Sequence, residues 1–336
     1  MHTTKSLRTS FCKILLLAAL VAFLTPAAHA DTLYVSNIVS GVVTSFDSAG
    51  TGSIVTNAGL DQPVGLAFDA TGNLFVSNFN GNYITKITPT LAQSIVIDNT
   101  TLGSGPHMDE PTGLAFDSLG NLYIANIGAG TIIQVTPGGV GSLYASAGLN
   151  TPIGLAFGPN GHLFVANTGQ SPGLNSGSRF IEEIFSAGSS VDHFYAGLSI
   201  PFGIAFSPTG DLFVANLGNN TIEKINVTTG VTSTFASGAA VNVPTGVAFD
   251  SAGTLYVANA GNNTIYKFDS AGTPTLFAQN VGGDLNQPRL LAFAPEETTA
   301  TPLPATFWNG LTMLALCGPY PLLRRLRNPA TRTQNF

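Results

Sequence analysis

One pattern of apolar and polar positions recurs along almost the whole chain. Residues 212–216 read LFVAN, in which side chains alternate across the two faces of a predicted β-strand, and a turn rich in Gly and Asn follows. Six variants of this run occur, and their starts are 41 to 49 residues apart. The copies begin at Leu33, Leu74, Leu122, Leu163, Leu212 and Leu255.

A second motif, P-x-G-[LIV]-A-F, recurs in phase with the first. Each pair of motifs predicts a hairpin of two strands, A and B, and the residues after it predict two more, C and D. Repeats of this length with several short strands are typical of β-propellers. The copies of the second motif begin at Pro63, Pro111, Pro152, Pro201, Pro244 and Pro288.

The order of the motifs predicts how the ring closes. The chain begins with a B strand at 33–36 and ends with an A strand at 290–293, so neither has a partner within its own unit. Pairing the two leaves no free sheet edge. We therefore predict an all-β, six-bladed β-propeller of four-stranded antiparallel blades over residues 31–300, closed by pairing of the N-terminal strand with the last A strand.

Over residues 32–295 these motifs resemble the NHL-repeat propellers of the gluconolactonase/regucalcin-like superfamily. The resemblance implies the fold, and it implies that a gluconolactonase-like relative binds a divalent ion at one end of the propeller through Asn, Glu and Asp. This chain departs from the family in two ways. Asn ends each B strand where the family often has Asp, and the last unit reads Pro288-Arg289-Leu290, without the glycine.

The asparagine that ends each B strand has two interpretations. A role needed in all six units favours architecture, in which the short amide bonds backbone groups of the following turn. The alternative is a ring of amides that offers oxygens to a sugar or to a cation such as Ca²⁺ or Zn²⁺, although the sequence shows no carboxylates beside them to complete a metal site. The six residues are Asn37, Asn78, Asn126, Asn167, Asn216 and Asn259.

The first thirty residues have the composition of a secretory signal peptide. A basic start precedes an apolar stretch at 14–24, and Ala28-His29-Ala30 is a small-x-small cleavage site. Cleavage after Ala30 would release a mature chain that is exported to the cell envelope or the extracellular space. The alternative is an uncleaved anchor.

The last residues, 301–336, resemble PEP-CTERM sorting signals in a Pro-Leu-Pro-Ala variant at 302–305. An apolar run to Leu323 and a basic cluster follow this motif, while Pro319 and Pro321 weaken the run as a membrane helix. The resemblance implies transient membrane anchoring through 303–323 and an exosortase-like processing enzyme as a partner. The alternative is a disordered or packed tail.

Charge and cysteine content narrow the range of functions for the repeats. Residues 31–300 contain five basic and eighteen acidic side chains, a formal charge of −13 with His neutral. That field repels nucleic acid and therefore argues against an RNA-binding NHL domain. Both cysteines, Cys12 and Cys317, lie outside the repeats, so the repeats contain no disulfide, thiolate nucleophile or cysteine metal ligand.

Two insertions, at 101–110 and 168–179, distinguish their units from the others. The first lengthens a D–A connection and the second the B–C turn of the next unit, so both are predicted on one face. Their ionisable residues, His107, Asp109, Glu110 and Arg179, are candidate binding residues. A metal or acid–base role for His107 with the two carboxylates competes with a simple solvated loop.

The sequence therefore favours an exported, non-catalytic propeller that binds a polysaccharide or protein partner at the bacterial cell envelope. No nucleophile elbow, phosphate loop or catalytic triad pattern is found in it. The rival hypothesis is a metal-dependent lactonase or related hydrolase that uses the asparagines and Glu110.

Overall fold

The computed structural model describes residues 31–56, 58–169, 180–187, 189–193, 198–280 and 285–295. The chain divides into two compact units, 1–296 and 297–336, and all described residues belong to the first. The predicted signal peptide, the sorting-like tail and Arg179 lie outside the described residues.

The described residues form 24 strands and two short 3-10 helices, at Leu217–Asn219 and Gly238–Ala240. In chain order the strands are β1 (Leu33–Asn37), β2 (Val42–Phe46), β3 (Gly52–Thr56), β4 (Pro63–Phe68), β5 (Leu74–Asn78), β6 (Tyr83–Ile87), β7 (Gln93–Asp98), β8 (Pro111–Phe116), β9 (Leu122–Asn126), β10 (Thr131–Val135), β11 (Gly141–Ala145), β12 (Pro152–Phe157), β13 (Leu163–Asn167), β14 (Phe180–Ser186), β15 (Ser189–His193), β16 (Pro201–Phe206), β17 (Leu212–Asn216), β18 (Thr221–Asn226), β19 (Val231–Ala236), β20 (Pro244–Phe249), β21 (Leu255–Asn259), β22 (Thr264–Phe268), β23 (Pro274–Gln279) and β24 (Pro288–Phe293).

These strands make six sheets of four antiparallel strands, and the prediction of a six-bladed propeller is confirmed. Blade 1 contains β24, β1, β2 and β3, while blades 2 to 6 contain β4–β7, β8–β11, β12–β15, β16–β19 and β20–β23. The predicted closure is also confirmed, because Leu33 lies opposite Phe293 and Val35 opposite Leu291 in an antiparallel pair. Both ends of the described chain therefore contribute to one blade.

The glycine of the P-x-G motif is needed where inner strands of adjacent blades meet. A Cβ at Gly65 would lie 2.0 Å from the carbonyl oxygen of Thr112 in the next blade, and one at Gly113 would lie 2.0 Å from that of Ile153. The A strands also contain a bulge at this point, since Phe202 and Gly203 of β16 lie opposite the single residue Ala215 of β17. The close approach of the inner strands therefore requires glycine at this position of the motif.

The core lies between the blades rather than within one layer. Strand B is buried on both faces, as predicted, because each blade is covered by two neighbours. Aromatic residues of adjacent blades meet edge to face, as in the pair Phe164 and Phe206, whose ring centroids are 5.0 Å apart. Neither helix among the described residues has the length and apolar character required to cross a membrane.

We expect the seam of blade 1 to control global stability, because β1 is joined to the last strand of the ring. Val35→Ala removes two methyl groups from a fully buried site in β1 and should lower the free energy of unfolding by about 2 to 3 kcal/mol. Val231→Ala, at a 62 % exposed position in β19, is the matched control and should change it by less than about 0.5 kcal/mol. Urea unfolding of the purified protein measures both. Equal midpoints for the two variants would contradict a contribution of the buried Val35 at this seam to global stability.

Candidate functional site

The predicted site residues that the structure describes lie at one end of the propeller, which we call the top face. It carries the B–C turns and the loops that enter each A strand, because every A strand begins where its B strand ends. Pro201 at the start of β16, for example, lies opposite Asn216 at the end of β17. The A–B and C–D turns lie at the other end, the bottom face.

The six asparagines that end the B strands are fully buried, and their amide oxygens are occupied. Each oxygen accepts a hydrogen bond from a backbone N–H in the loop that enters the A strand of the same blade. Asn216 Oδ1 accepts from Ser199 N at 2.6 Å, and the closure of the ring preserves the bond in blade 1, where Asn37 Oδ1 accepts from Asn286 N at 3.0 Å. The other four acceptors bind the N–H groups of Asp61, Asp109, Asn150 and Asn242 at 2.9 to 3.5 Å.

The amide nitrogens of these asparagines point to strand C. Five donate to a threonine hydroxyl, at 3.0 to 3.3 Å, and the sixth, on Asn167, donates to Glu182 Oε2 at 3.4 Å. Oxygen and nitrogen can be told apart here because a backbone N–H donates to the oxygen alone. In blades 2 to 6 the bonded N–H lies 17 residues before the asparagine. The amide oxygen therefore closes a longer connection than a bond to the turn that follows the asparagine, which was the architectural role predicted from the sequence.

These amides do not fit a divalent cation. A cation needs oxygen lone pairs directed at it, and here the oxygens receive backbone N–H groups while the nitrogens point at strand C. One carboxylate does lie beside the ring, since the fully buried Glu182 accepts from Asn167, and sequence reasoning placed none there. Within the described part of the chain, no three His, Cys, Asp or Glu side chains cluster as a metal site.

A second set of amides links neighbouring blades on the top face. Asn82, Asn220 and Asn263 end their B–C turns with positive φ, and each side-chain oxygen accepts from a backbone N–H of the next blade. The donors are Glu110, Val243 and Gln287, at 2.6 to 2.7 Å. Glycines 41 and 130 take the asparagine position in blades 1 and 3, so no side chain can form this link there.

Two residues that break the repeat at the seam lie near the inner strand of blade 5. Arg289 occupies the x position of the last P-x-G motif, and its guanidinium carbon lies 5.5 Å from the ring centroid of Phe202, two blades away. Leu290 replaces the glycine, and its Cδ2 would lie 3.1 Å from a Cβ placed on Gly203. The departure noted in the sequence therefore places a cation and an apolar side chain beside the inner strand of blade 5.

A cleft of about 500 Å³ opens on the top face between blades 1 and 2, and we call it the seam cleft. Its walls are the β1–β2 turn, the loop that enters β4, and the residues around the start of β24. The lining residues are Ile38, Val39, Ser40, Gly41, Leu60, Asp61, Gln62, Gln287 and Arg289.

The structure describes three of the four residues proposed from the insertions. His107, Asp109 and Glu110 lie on the loop that enters β8, and all three are exposed. The backbone N–H groups of Asp109 and Glu110 bond Asn126 and Asn82, so this part of the insertion has a structural role. Their position on the top face agrees with the topology predicted for this insertion, while Arg179 lies outside the described residues.

Two features of the top face were missed by sequence reasoning. Glu182 and Glu223, at equivalent positions of strand C in adjacent blades, are 0 % and 5 % exposed, and Glu223 accepts from Thr221 Oγ1 at 2.7 Å. The seam cleft was missed as well. Its sequence signal is the pair of departures at Gly41 and Arg289, which lie far apart in the chain and meet only because the ring closes.

No family model and no curated protein sequence matches this chain. Solved structures share its fold. The structure of a nidogen/laminin complex superposes with a TM-score of 0.66 at 16 % identity, covering 80 % of this chain and 99 % of the matched chain. Virginiamycin B lyase from Staphylococcus aureus gives 0.55 at 19 % identity, over 69 % and 77 % of the two chains. A candidate gluconolactonase gives 0.53 at 16 % identity, over 70 % and 79 %.

At these identities the likeness shows the fold alone. The chain is a six-bladed propeller whose structural neighbours include one from a protein complex and others described as enzymes.

We expect the B-strand asparagines to be structural. Asn216→Ala leaves the N–H of Ser199 and the hydroxyl of Thr221 without the buried amide, and should lower the free energy of unfolding by about 1 to 3 kcal/mol. Asn242→Ala is the control, because that side chain is exposed and makes no hydrogen bond within the described residues. Thermal unfolding compares the two, and equal midpoints would remove the structural role.

Proposed function

We propose that this protein is an exported propeller that binds a polysaccharide of the cell envelope through its top face and catalyses no reaction. Export is supported by the signal-like residues 1–30. The sorting-like residues 301–336 support an envelope location, reached through an exosortase-like processing step.

The seam cleft is the observation that carries the proposal. Sugars present hydroxyl groups around an apolar C–H face, and a site for them combines amides and carboxylates with aliphatic side chains. Asp61, Gln62 and Gln287 supply the polar groups of the cleft, and Ile38 and Leu60 supply apolar surface. Its volume of about 500 Å³ suits one or two sugar rings.

A protein partner is the second candidate. It is favoured by the nidogen/laminin complex among the structural neighbours and by Val39, which is 60 % exposed at the edge of the seam cleft. A loop of a partner protein could use the same surface.

The proposal predicts that binding depends on the top face. Val39→Glu places a longer, charged side chain at the cleft and should weaken retention on envelope polysaccharide by about tenfold. Val140→Glu is the matched control, because Val140 is 67 % exposed in a C–D turn on the bottom face. Affinity electrophoresis in gels that contain the polysaccharide measures both. Equal retention of the two variants would argue against the top face, and capture of an envelope protein with no polysaccharide binding would favour the second candidate.

The enzyme alternative makes a different prediction. In a metal-dependent lactonase, Ca²⁺ or Zn²⁺ should raise the free energy of unfolding by RT ln(1 + [L]/Kd), and the melting temperature should rise with it. We expect no such rise and no turnover of a lactone panel, because the buried amides already have partners. Turnover and a metal-dependent rise that were both lost in Glu182→Gln, the carboxylate beside Asn167, would overturn the binding proposal.

A further inference from the structure

We propose that the seam cleft binds the carboxylate of an acidic sugar residue, held by the guanidinium of Arg289 and the backbone N–H of Gln62. This proposal rests on the proposed polysaccharide binding and names the chemical class of the sugar.

Arg289 is a cation without an anionic partner among the described residues. Its Nε is buried and has no hydrogen-bond partner there, and the guanidinium packs on the ring of Phe202. Burial lowers the pKa of Arg289, but an arginine stays charged at neutral pH. Arg289 also lines the seam cleft, and the planar fork of N–H donors of a guanidinium matches a carboxylate.

The N–H of Gln62 is the second donor. At the same place in three other blades the N–H of Glu110, Val243 or Gln287 is bonded by an asparagine oxygen of the preceding blade. In blade 1, which precedes the blade of Gln62, Gly41 occupies the position of that asparagine. Within the described residues no acceptor bonds the Gln62 N–H. A ligand oxygen in the cleft can take the place that the missing amide oxygen has elsewhere.

The surrounding charge makes this site selective. The repeats carry a formal charge of −13, and the three described lysines lie on C strands toward the bottom face, where they stack on Phe75, Phe213 and Phe277. Arg289 is therefore the one arginine or lysine that the described part of the top face contains. An anion is attracted at this point and repelled around it.

Asp61 fixes how an acidic sugar would lie in the cleft. Its carboxylate accepts from Asn80 Nδ2 at 2.9 Å and lines the same cleft as Arg289. A sugar carboxylate is repelled by Asp61 and attracted by Arg289, whereas sugar hydroxyls can donate to Asp61. A ligand with a carboxylate at one end and hydroxyls at the other satisfies both groups.

The test is calorimetric titration of the purified protein with D-glucuronate, with D-glucose and acetate as the neutral-sugar and carboxylate-only probes. Glucuronate should bind at least about tenfold more tightly than either. Arg289→Gln should abolish this preference, and Arg289→Lys should restore only part of it, because an ammonium group lacks the planar fork.

Gly41→Asn separates loss of the site from loss of the fold. Gly41 has φ +67°, which Asn tolerates, and an added Cβ would meet its nearest neighbour, the oxygen of Leu60, at 3.8 Å. The new amide should bond Gln62 N, close the cleft and weaken glucuronate binding by about tenfold while the melting temperature stays equal or rises. Gly130→Asn, at the equivalent turn of blade 3, is the matched control and should leave binding unchanged.

Glucuronate that binds no better than glucose, or that binds Arg289→Gln or Gly41→Asn as well as the parent, overturns the proposal. Absence of glucuronate binding up to about 10 mM does so too. Polysaccharide retention that is unaffected by Arg289→Gln would leave the proposed function intact and reject the acidic sugar. Glucuronate binding without polysaccharide retention would support this site and reject the proposed function.

Discussion

The structure depends on one buried contact that is repeated around the ring. In each blade the asparagine that ends strand B accepts a hydrogen bond from the loop that enters strand A, and thereby fixes the end of this loop that leads into the inner strand. The asparagine is fully buried, and an unpaired polar group at this depth would be costly, so the bond to the loop is a condition for burying the amide. The A strands can then approach so closely that Gly113 has no room for a Cβ.

This constraint explains why the most conspicuous sequence motif does not identify the chemistry of the protein. Amides such as those of Asn78 and Asn259 are buried with both polar atoms bonded, so they have little left to offer a ligand. Groups that remain available belong to positions where one blade differs from the others. The seam cleft is such a position, because Gly41 lacks the amide that links other blades and Arg289 replaces an apolar or hydroxyl side chain.

The structural neighbours lead to the same conclusion. A propeller from a protein complex, a lyase and a candidate gluconolactonase share this architecture at 16 to 19 % identity. The fold therefore carries no reaction by itself, and function must be argued from side chains that the repeat does not specify. In this chain these include the buried carboxylates of blades 4 and 5 and the cation at the seam.

By itself the sequence determined the fold, the blade count and the closure of the ring. Short-range alternation and in-phase motifs specify strands, and an unpartnered strand at each end of the repeats leaves one solution. It also placed the loop of His107 on the top face. Tertiary structure decided how the amides are used, since the partner of Asn37 is Asn286, 249 positions away. It also brought Gly41 and Gln62 together with Arg289 and buried Glu182 beside Asn167, because burial and pairing between distant residues arise only when the blades pack.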